Sequence, residues 1–216
     1  PLDRRPPAPE VAASVVRSYL SSANLFPNDL SGETTFEFLK LEGDKFTSSI
    51  SLSEADFVEV NFFRKKYDDL PVYTSDPANA NVWFIVSGAS ERGKQIMAGQ
   101  YHYFPVDVDQ GSTYPIISSQ QAWDELTQGG GYIATLGANS EGDNIVVRKI
   151  FVGYYDAGIP TEFLQPIIVF EGDKGFLAYV SGVTSDYVRE NEQTPSPTST
   201  PVETTPTPEA SVSPAP

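Results

Sequence analysis

The chain has 216 residues and a formal net charge of −15, with 39% hydrophobic and 12% aromatic residues and no cysteine. Such a negative field repels phosphate backbones, which argues against nucleic-acid binding. It suits a basic protein or peptide, or a cation, as a partner, but solubility alone is the simpler explanation of the charge. The lack of cysteine excludes disulfides, thiolate catalysis and cysteine-based metal sites, and without a run of about 18 apolar residues we expect no membrane insertion by this segment.

The two ends of the chain differ in composition from its middle. Residues 1–9 are rich in proline and predict a linker. Residues 190–216 carry four Glu and no basic residue, and the part from Thr194 onward has seven prolines and ten Ser or Thr. Such a segment buries too little apolar surface to order itself, so we expect a disordered tail. Pro/Thr/Ser tracts are typical of exported proteins, which favours an extracytoplasmic location, and the start at Pro1 suggests that an N-terminal signal or anchor has been removed.

Two segments have the apolar spacing of amphipathic helices. The first is Pro9–Ser22, where Pro9 suits a first turn and apolar residues recur at spacings of three and four. The second runs over residues 118–127, where Ser118 and Gln121 have capping-box spacing and residues 129–131 (GGG) end the helix. Trp123 offers the largest apolar surface of this helix. We therefore expect it to be buried, so that Trp123→Ala costs about 3–5 kcal/mol.

The rest of the middle region predicts β-strands. In the first of them, Phe36 and Phe38 share one face, while Leu39 and Leu41 lie on the other. Residues 172–174 (GDK) predict a hairpin turn between the last two strands. The predicted strands cover residues 35–41, 57–64, 82–87, 95–104, 144–155, 166–171 and 175–183.

The order of these elements suggests an internal duplication. Each half has a helix, then a long strand ending in a similar turn (YDDLP at 67–71, YDAGIP at 155–160), an apolar strand, a glycine-containing turn and an aromatic strand. The sequence thus predicts an α+β fold of two helix-plus-antiparallel-sheet repeats, over residues 10–116 and 117–189. We expect each sheet to have one face covered by a helix and the other free.

The second half resembles a known class of envelope modules. Residues 119–126 (SQQAWDEL), 152–155 (VGYY) and 163–170 (FLQPIIVF) are similar to the PepSY-related extracytoplasmic modules, in particular the YycH/YycI type of membrane-anchored regulators. The similarity covers about 65 residues, over 118–183, and its motifs are structural. The resemblance implies a non-enzymatic, envelope-located interaction module anchored at its N-terminus, and it transfers no functional residue.

Several residues are candidates for catalysis or ligand binding. His102, the single histidine, has no accompanying nucleophile signature, so we interpret it as a strand residue. Asp107 and Asp109 begin like a calcium loop, but Ser118 stands where such a loop needs Glu, which favours an acidic turn. The glycines at 129–131 precede no Lys-Ser/Thr and are better explained as a helix stop than as a phosphate loop.

Carboxylate pairs and an aromatic set are two further candidates for function. The carboxylate pairs Asp68–Asp69 and Glu141–Asp143 are adjacent or nearly so, which is typical of solvated turns and not of glycosidase pairs. An aromatic set suits core packing better than an exposed binding face, although some of its members are expected to be exposed. That set comprises Trp83, Phe84, Tyr101 and Tyr103.

The sequence assigns no catalytic, cofactor-binding or metal-binding residue. We expect a non-enzymatic extracytoplasmic interaction or regulatory module, displayed at the cell surface or in the envelope and anchored through a preceding N-terminal segment. A surface adhesin or structural envelope protein is the alternative, and a hydrolase is the third.

Overall fold

The computed structural model describes residues 5–91 and 93–184 and has an α+β fold with two five-stranded sheets, as the sequence predicts. The predicted disordered tail lies outside these residues. The helices are α1 (Pro9–Ser22) and α2 (Ser119–Thr127). The strands are β1 (Thr34–Glu42), β2 (Lys45–Ser48), β3 (Phe57–Phe62), β4 (Val72–Tyr73), β5 (Val82–Ser87), β6 (Ile96–Tyr101), β7 (Tyr132–Thr135), β8 (Val147–Tyr155), β9 (Gln165–Gly172) and β10 (Leu177–Ser181).

Local sequence signals account for both helices. Helix α1 begins at Pro9, and its fixed φ suits the first turn of a helix. Helix α2 has a complete capping box, because the Ser118 side chain accepts from the Gln121 backbone N–H while the Gln121 side chain accepts from the Ser118 N–H. Gly129, at φ +84°, takes the left-handed conformation that follows the end of α2.

The first sheet is antiparallel, with strand order β2-β1-β3-β5-β6. Helix α1 packs on β3 and β5, and its fully buried Val16 contributes to the core on that side. Phe36 and Phe38 of β1 lie on this helix face, while Leu39 and Leu41 belong to a second cluster on the opposite face. The alternation of β1 is therefore as the sequence predicts.

The second sheet has the order β4-β8-β9-β10-β7, and all its pairs are antiparallel except β4 with β8. Helix α2 packs on β10, and Ala122 is its fully buried residue. The turn between β9 and β10 lies at the predicted GDK, where Lys174 adopts a positive φ of 56°. Strand β4 comes from the first half of the chain, so this half contributes to both sheets.

The two halves share a unit of three strands and differ around it. Strands β3-β5-β6 and β8-β9-β10 each form an antiparallel meander, but the first is interrupted by β4, which belongs to the other sheet. The first strand after each helix takes a different place, because β1 pairs with β3, whereas β7 pairs with β10 at the opposite end of its meander. The helices also differ in place, because α1 packs on β3 and β5, whereas α2 packs on β10. The predicted similarity of the halves therefore extends to three strands.

The position of Trp123 differs from the sequence-based expectation. Its side chain is 38% exposed and leans on Phe170 of β9, with ring centroids 6.1 Å apart. The small Ala122 faces the sheet instead, which allows the helix to approach β10 closely. The prediction that Trp123 is buried is therefore wrong, and the range of about 3–5 kcal/mol, which holds for a buried aromatic side chain, does not apply to Trp123→Ala.

Candidate functional site

Arg64, which follows β3, carries a buried charge. Its side chain is 4% exposed and forms ion pairs of 2.6 Å with Asp29, after α1, and with Asp156, after β8. The remaining Nη2 group donates to the carbonyl oxygen of Phe104 at 2.7 Å. The guanidinium thus joins four segments that are far apart in sequence, and Asp156 brings the second sheet into contact with the first.

Two tyrosines complete this cluster around Asp29. The hydroxyl groups of Tyr67 and Tyr103 each donate to one carboxylate oxygen of Asp29 at 2.8 Å. The Tyr103 ring also lies 4.5 Å below the Arg64 guanidinium, a cation–π distance. We call Arg64, Asp29, Asp156, Tyr67 and Tyr103 the Arg64 cluster. The polar side-chain groups of this cluster have hydrogen-bond partners, which a buried charge requires.

The electrostatics of the cluster favour its present protonation state. Burial lowers the pKa of Arg64, but the hydrogen bond and charge of Asp156, with smaller contributions from Tyr67 and Asp29, outweigh it, so the net shift is upward. Burial, followed by the hydrogen bond to Asp29 and its charge, raises the pKa of Tyr67 to about 12 and raises the pKa of Tyr103 further. Both tyrosines stay protonated as donors.

These shifts predict a loss of stability at alkaline pH. A tyrosine with a pKa of about 10 in the unfolded chain and a higher one in the fold stabilises the protein below pH 10, and this stabilisation disappears as the pH rises through the folded value. We expect Tyr67→Phe to reduce the decline of unfolding free energy between about pH 10 and pH 12, measured by urea titration. Tyr103→Phe should act in the same direction. Identical pH profiles in the parent and both variants would contradict this account.

His102 lies next to this cluster, just beyond the end of β6, which is shorter than the predicted strand over 95–104. It is exposed and lines, together with Arg64, Tyr103 and Asp156, a cavity of about 10 Å³. That volume suits about one water molecule and is too small for a substrate. Asp156 is engaged by Arg64 and by the Gly158 N–H at 3.2 Å, so the carboxylate serves to join the two sheets.

The acidic sequence candidates occupy separate turns. Asp107 accepts from the Asp109 N–H and the Gln110 side chain, which closes a local turn. Asp68 and Asp69 have positive φ values of 49° and 63° in the exposed turn before β4. Within residues 5–91 and 93–184, no group of three or more His, Cys, Asp or Glu side chains is placed to hold a metal ion.

Another acidic pair and the aromatic candidates are also separated. Asp143 accepts from the Ser140 N–H and lies 3.9 Å from the Lys174 ammonium, in a loop that also contains Glu141. Of the aromatic residues, Phe84, Tyr101 and Tyr103 lie against the core beneath α1, while Trp83 packs on the opposite face of the first sheet. These four rings therefore do not form one binding face.

A tyrosine cluster fills the face of the second sheet that α2 does not cover. The buried ring of Tyr179 lies 5.4 Å from Tyr73, 6.2 Å from Tyr132 and 6.4 Å from Tyr155. Burial is the main cause that raises the pKa of Tyr179. The Tyr132 hydroxyl donates to the Ser75 carbonyl at 3.0 Å, which ties the segment after β4 to the opposite edge strand. The centre of this face is therefore buried, although Tyr132 at its edge is 51% exposed, and the expectation that the face opposite the helix is free is wrong for this sheet.

The helix face of the same sheet remains open above β8. A groove of about 430 Å³ lies between Trp123 and residues 145–150. Val146 is 49% exposed and Ile150 is 42% exposed, so the groove presents apolar side chains to solvent. It arises because α2 covers β10 and, through Trp123, reaches only as far as Phe170 of β9. We refer to this feature as the Trp123 groove.

One edge of β8 adjoins this groove and lacks a partner strand over most of its length. Strand β4 pairs with β8 only at Tyr154 and Tyr155. The Tyr154 N–H donates to the Pro71 carbonyl across this edge, and Tyr154 faces Pro166 of β9, which has no N–H to offer. The backbone N–H and C=O groups of successive residues in a strand point to opposite edges. Ile150 and Val152 therefore direct these groups to the same edge as Tyr154. No strand of the described part of the chain pairs with β8 beside Ile150 and Val152. We call this stretch the free β8 edge.

Sequence reasoning missed both the Arg64 cluster and the free β8 edge. Arg64 directly follows the largely apolar segment FVEVNFF, which is a signal for a buried charge, but its partners Asp29 and Asp156 lie 35 and 92 positions away. The free β8 edge exists because β4 is only two residues long. Two residues are too few to show a strand pattern in the sequence.

Among the described residues, no helix is both long enough and apolar enough to cross a membrane. In comparisons with models of known families, with curated proteins and with solved structures, nothing matches this chain.

Proposed function

We propose that this chain is a non-enzymatic interaction or regulatory module that works outside the cytoplasm by binding a protein partner. The observation that carries the proposal is the Trp123 groove, an apolar surface with a partly exposed tryptophan, valine and isoleucine beside charged pairs. Partly exposed aromatic residues framed by polar groups are typical of protein contact sites. The chain's net charge of −15 makes a partner with basic residues the better electrostatic match.

Two sequence features support the location of this activity in the cell envelope. The Pro/Thr/Ser-rich segment over residues 190–216 is of a composition common in exported proteins. The resemblance of residues 118–183 to membrane-anchored regulators agrees with a regulatory role. A buried Arg64 cluster with every polar group partnered agrees with a structural scaffold that positions the groove.

Site-specific photo-crosslinking in cells that express the protein tests the proposal. A photoreactive residue in place of Trp123 should give an adduct with one recurring protein, identified by mass spectrometry, and the same residue in place of Ile50 should not. Ile50 is the matched control because it is 96% exposed and lies on the first sheet's side of the molecule. The purified pair should then form a complex that Trp123→Ala weakens. Equal labelling at both positions, or adducts with envelope polymers alone, would contradict a protein-binding role for the groove.

A further inference from the structure

The free β8 edge offers hydrogen-bonding groups that a further strand would satisfy. Ile150 and Val152 direct their N–H and C=O groups toward this edge, whereas Phe151 and Gly153 pair with β9. Farther along the same edge of β8, the short strand β4 already pairs in this way. The carbonyl groups of Pro71 and Tyr73 accept from the N–H groups of Tyr154 and Asp156, each at 2.8 Å. An extended segment alongside β8 would continue the row that β4 begins.

The side chains next to this edge favour an apolar residue in the incoming segment. Ile150 faces Phe170 on β9, so it lies on the helix face together with Trp123. A strand added to β8 would direct every second side chain to that face, into the Trp123 groove. An aliphatic side chain placed there would be removed from water, and this burial would stabilise the complex. One incoming segment can therefore pair its backbone with β8 and place its side chains in the Trp123 groove.

The net charge of the chain favours basic residues at the other positions of the incoming segment. Residues 117–184 hold eight Asp and Glu against three Lys and Arg. The two bases nearest the edge are already paired, Arg148 with Asp173 at 2.6 Å and Lys149 with Glu171 at 3.2 Å. Arg148 and Lys149 are thereby neutralised, and the net charge of −15 of the chain attracts positive side chains.

Accordingly, we propose that the free β8 edge and the Trp123 groove together bind an extended segment of another protein that alternates apolar and basic residues. This inference rests on the proposed function and names its binding mode, addition of a strand to the second sheet. A second copy of the chain is the less suitable occupant, because each copy carries a net charge of −15 and the two would repel each other.

The test uses a fluorescent octapeptide of alternating Lys and Val and the full chain, with anisotropy as the readout. Two versions of the peptide carry N-methyl groups, one on all Lys amides and one on all Val amides, so that each version loses the donors of one edge. Strand addition uses a single edge of the peptide. We therefore expect one version to bind at least tenfold more weakly and the other to retain its affinity. An octapeptide with Glu in place of Lys should not bind.

Variants of the chain locate the site. Ile150→Pro removes an N–H that points away from β9, so the fold should tolerate it as edge strands do, while peptide binding falls at least tenfold. Ile150→Val keeps the N–H and a β-branched side chain and should bind like the parent. Circular dichroism establishes that the proline variant is folded. If Ile150→Pro does not fold, binding of the peptide to Trp123→Ser and the comparison of the two N-methylated peptides test the proposal instead. In a Trp83→Phe background, the emission of Trp123 should shift when the peptide binds.

Three outcomes would overturn the inference: equal affinity of both N-methylated peptides, which indicates charge attraction alone; peptide binding that survives Ile150→Pro; or a dimer in sedimentation that Ile150→Pro dissociates, which assigns the edge to a second copy. A protein adduct at position 123 in cells, together with failure of the peptide tests, would leave the proposed function standing and reject only this binding mode.

Discussion

Replacing Arg64 with Met is expected to lower the free energy of unfolding by about 3–5 kcal/mol, the range for removing one partner of a buried ion pair. The substitution keeps most of the side-chain volume but leaves Asp29 and Asp156 in the interior without their counter-charge. It also removes the donor to the Phe104 carbonyl. Urea unfolding followed by circular dichroism measures the change.

Arg148→Met is the matched control for this variant. Arg148 also pairs with a carboxylate at 2.6 Å, but its side chain is 60% exposed, and its loss should change stability little because water screens surface pairs. Since Arg64 joins the two sheets through Asp156, we also expect its removal to separate their unfolding into two transitions. Equal effects of Arg64→Met and Arg148→Met would show that the Arg64 cluster does not stabilise the fold as described.

Phe170→Ala is expected to cost about 3–5 kcal/mol, as usual for truncating a buried aromatic side chain. Phe170 is fully buried in the middle strand of the second sheet, within the cluster that α2 and β10 complete. The cavity left behind would lie between Ile150 and Trp123, so the groove should lose its shape as well. Urea unfolding gives the stability change, and anisotropy with the Lys/Val octapeptide gives the change in binding.

The control for Phe170→Ala is Trp123→Ala, which removes a larger ring from the same contact. We expect it to destabilise the chain less than Phe170→Ala, because more than a third of the Trp123 side chain is already in water. Its main effect should be on binding. A destabilisation by Trp123→Ala equal to or above that of Phe170→Ala would restore the expectation of a buried tryptophan and remove the basis for the groove.

Local patterns carried much of the fold prediction. Pro9, the capping pair Ser118 and Gln121, and Gly129 give helix boundaries within one residue of those observed, because capping depends on neighbours in sequence. The apolar run at 82–87 coincides with β5, and the GDK turn joins β9 to β10 as expected. Such features need no knowledge of distant contacts.

Features that depend on long-range contacts could not be predicted. Strand β4 has two residues and exists only because β8 offers it an edge, and β2 and β7, of four residues each, were missed as well. The position of β7 beside β10 follows from the sheet edge available to it, not from its own sequence. Helical periodicity placed Trp123 on the apolar stripe, yet the small Ala122 allowed closer packing and took the buried position.

The candidate site was hidden for the same reason. The site consists of a tryptophan on α2, an isoleucine on β8 and the edge of β8 that has no partner strand there. Only the folded chain brings these features together. The motifs considered in the sequence, such as His102 and the Asp107–Asp109 turn, are separate in the fold. Partial exposure of a large residue is a property of packing, so composition and spacing give no direct sign of it.

Amide hydrogen exchange by NMR tests the central claim, that the free β8 edge is an open binding strand, most directly. In the free chain, the amides of Ile150 and Val152 should exchange rapidly, while those of Phe151 and Gly153, which face β9, should be protected. On addition of the Lys/Val octapeptide, the amides of Ile150 and Val152 should become protected and those of β2, the edge strand of the first sheet, should not change. Slow exchange at Ile150 and Val152 in the free chain, or protection by the peptide that appears elsewhere and not at these two amides, would contradict the claim.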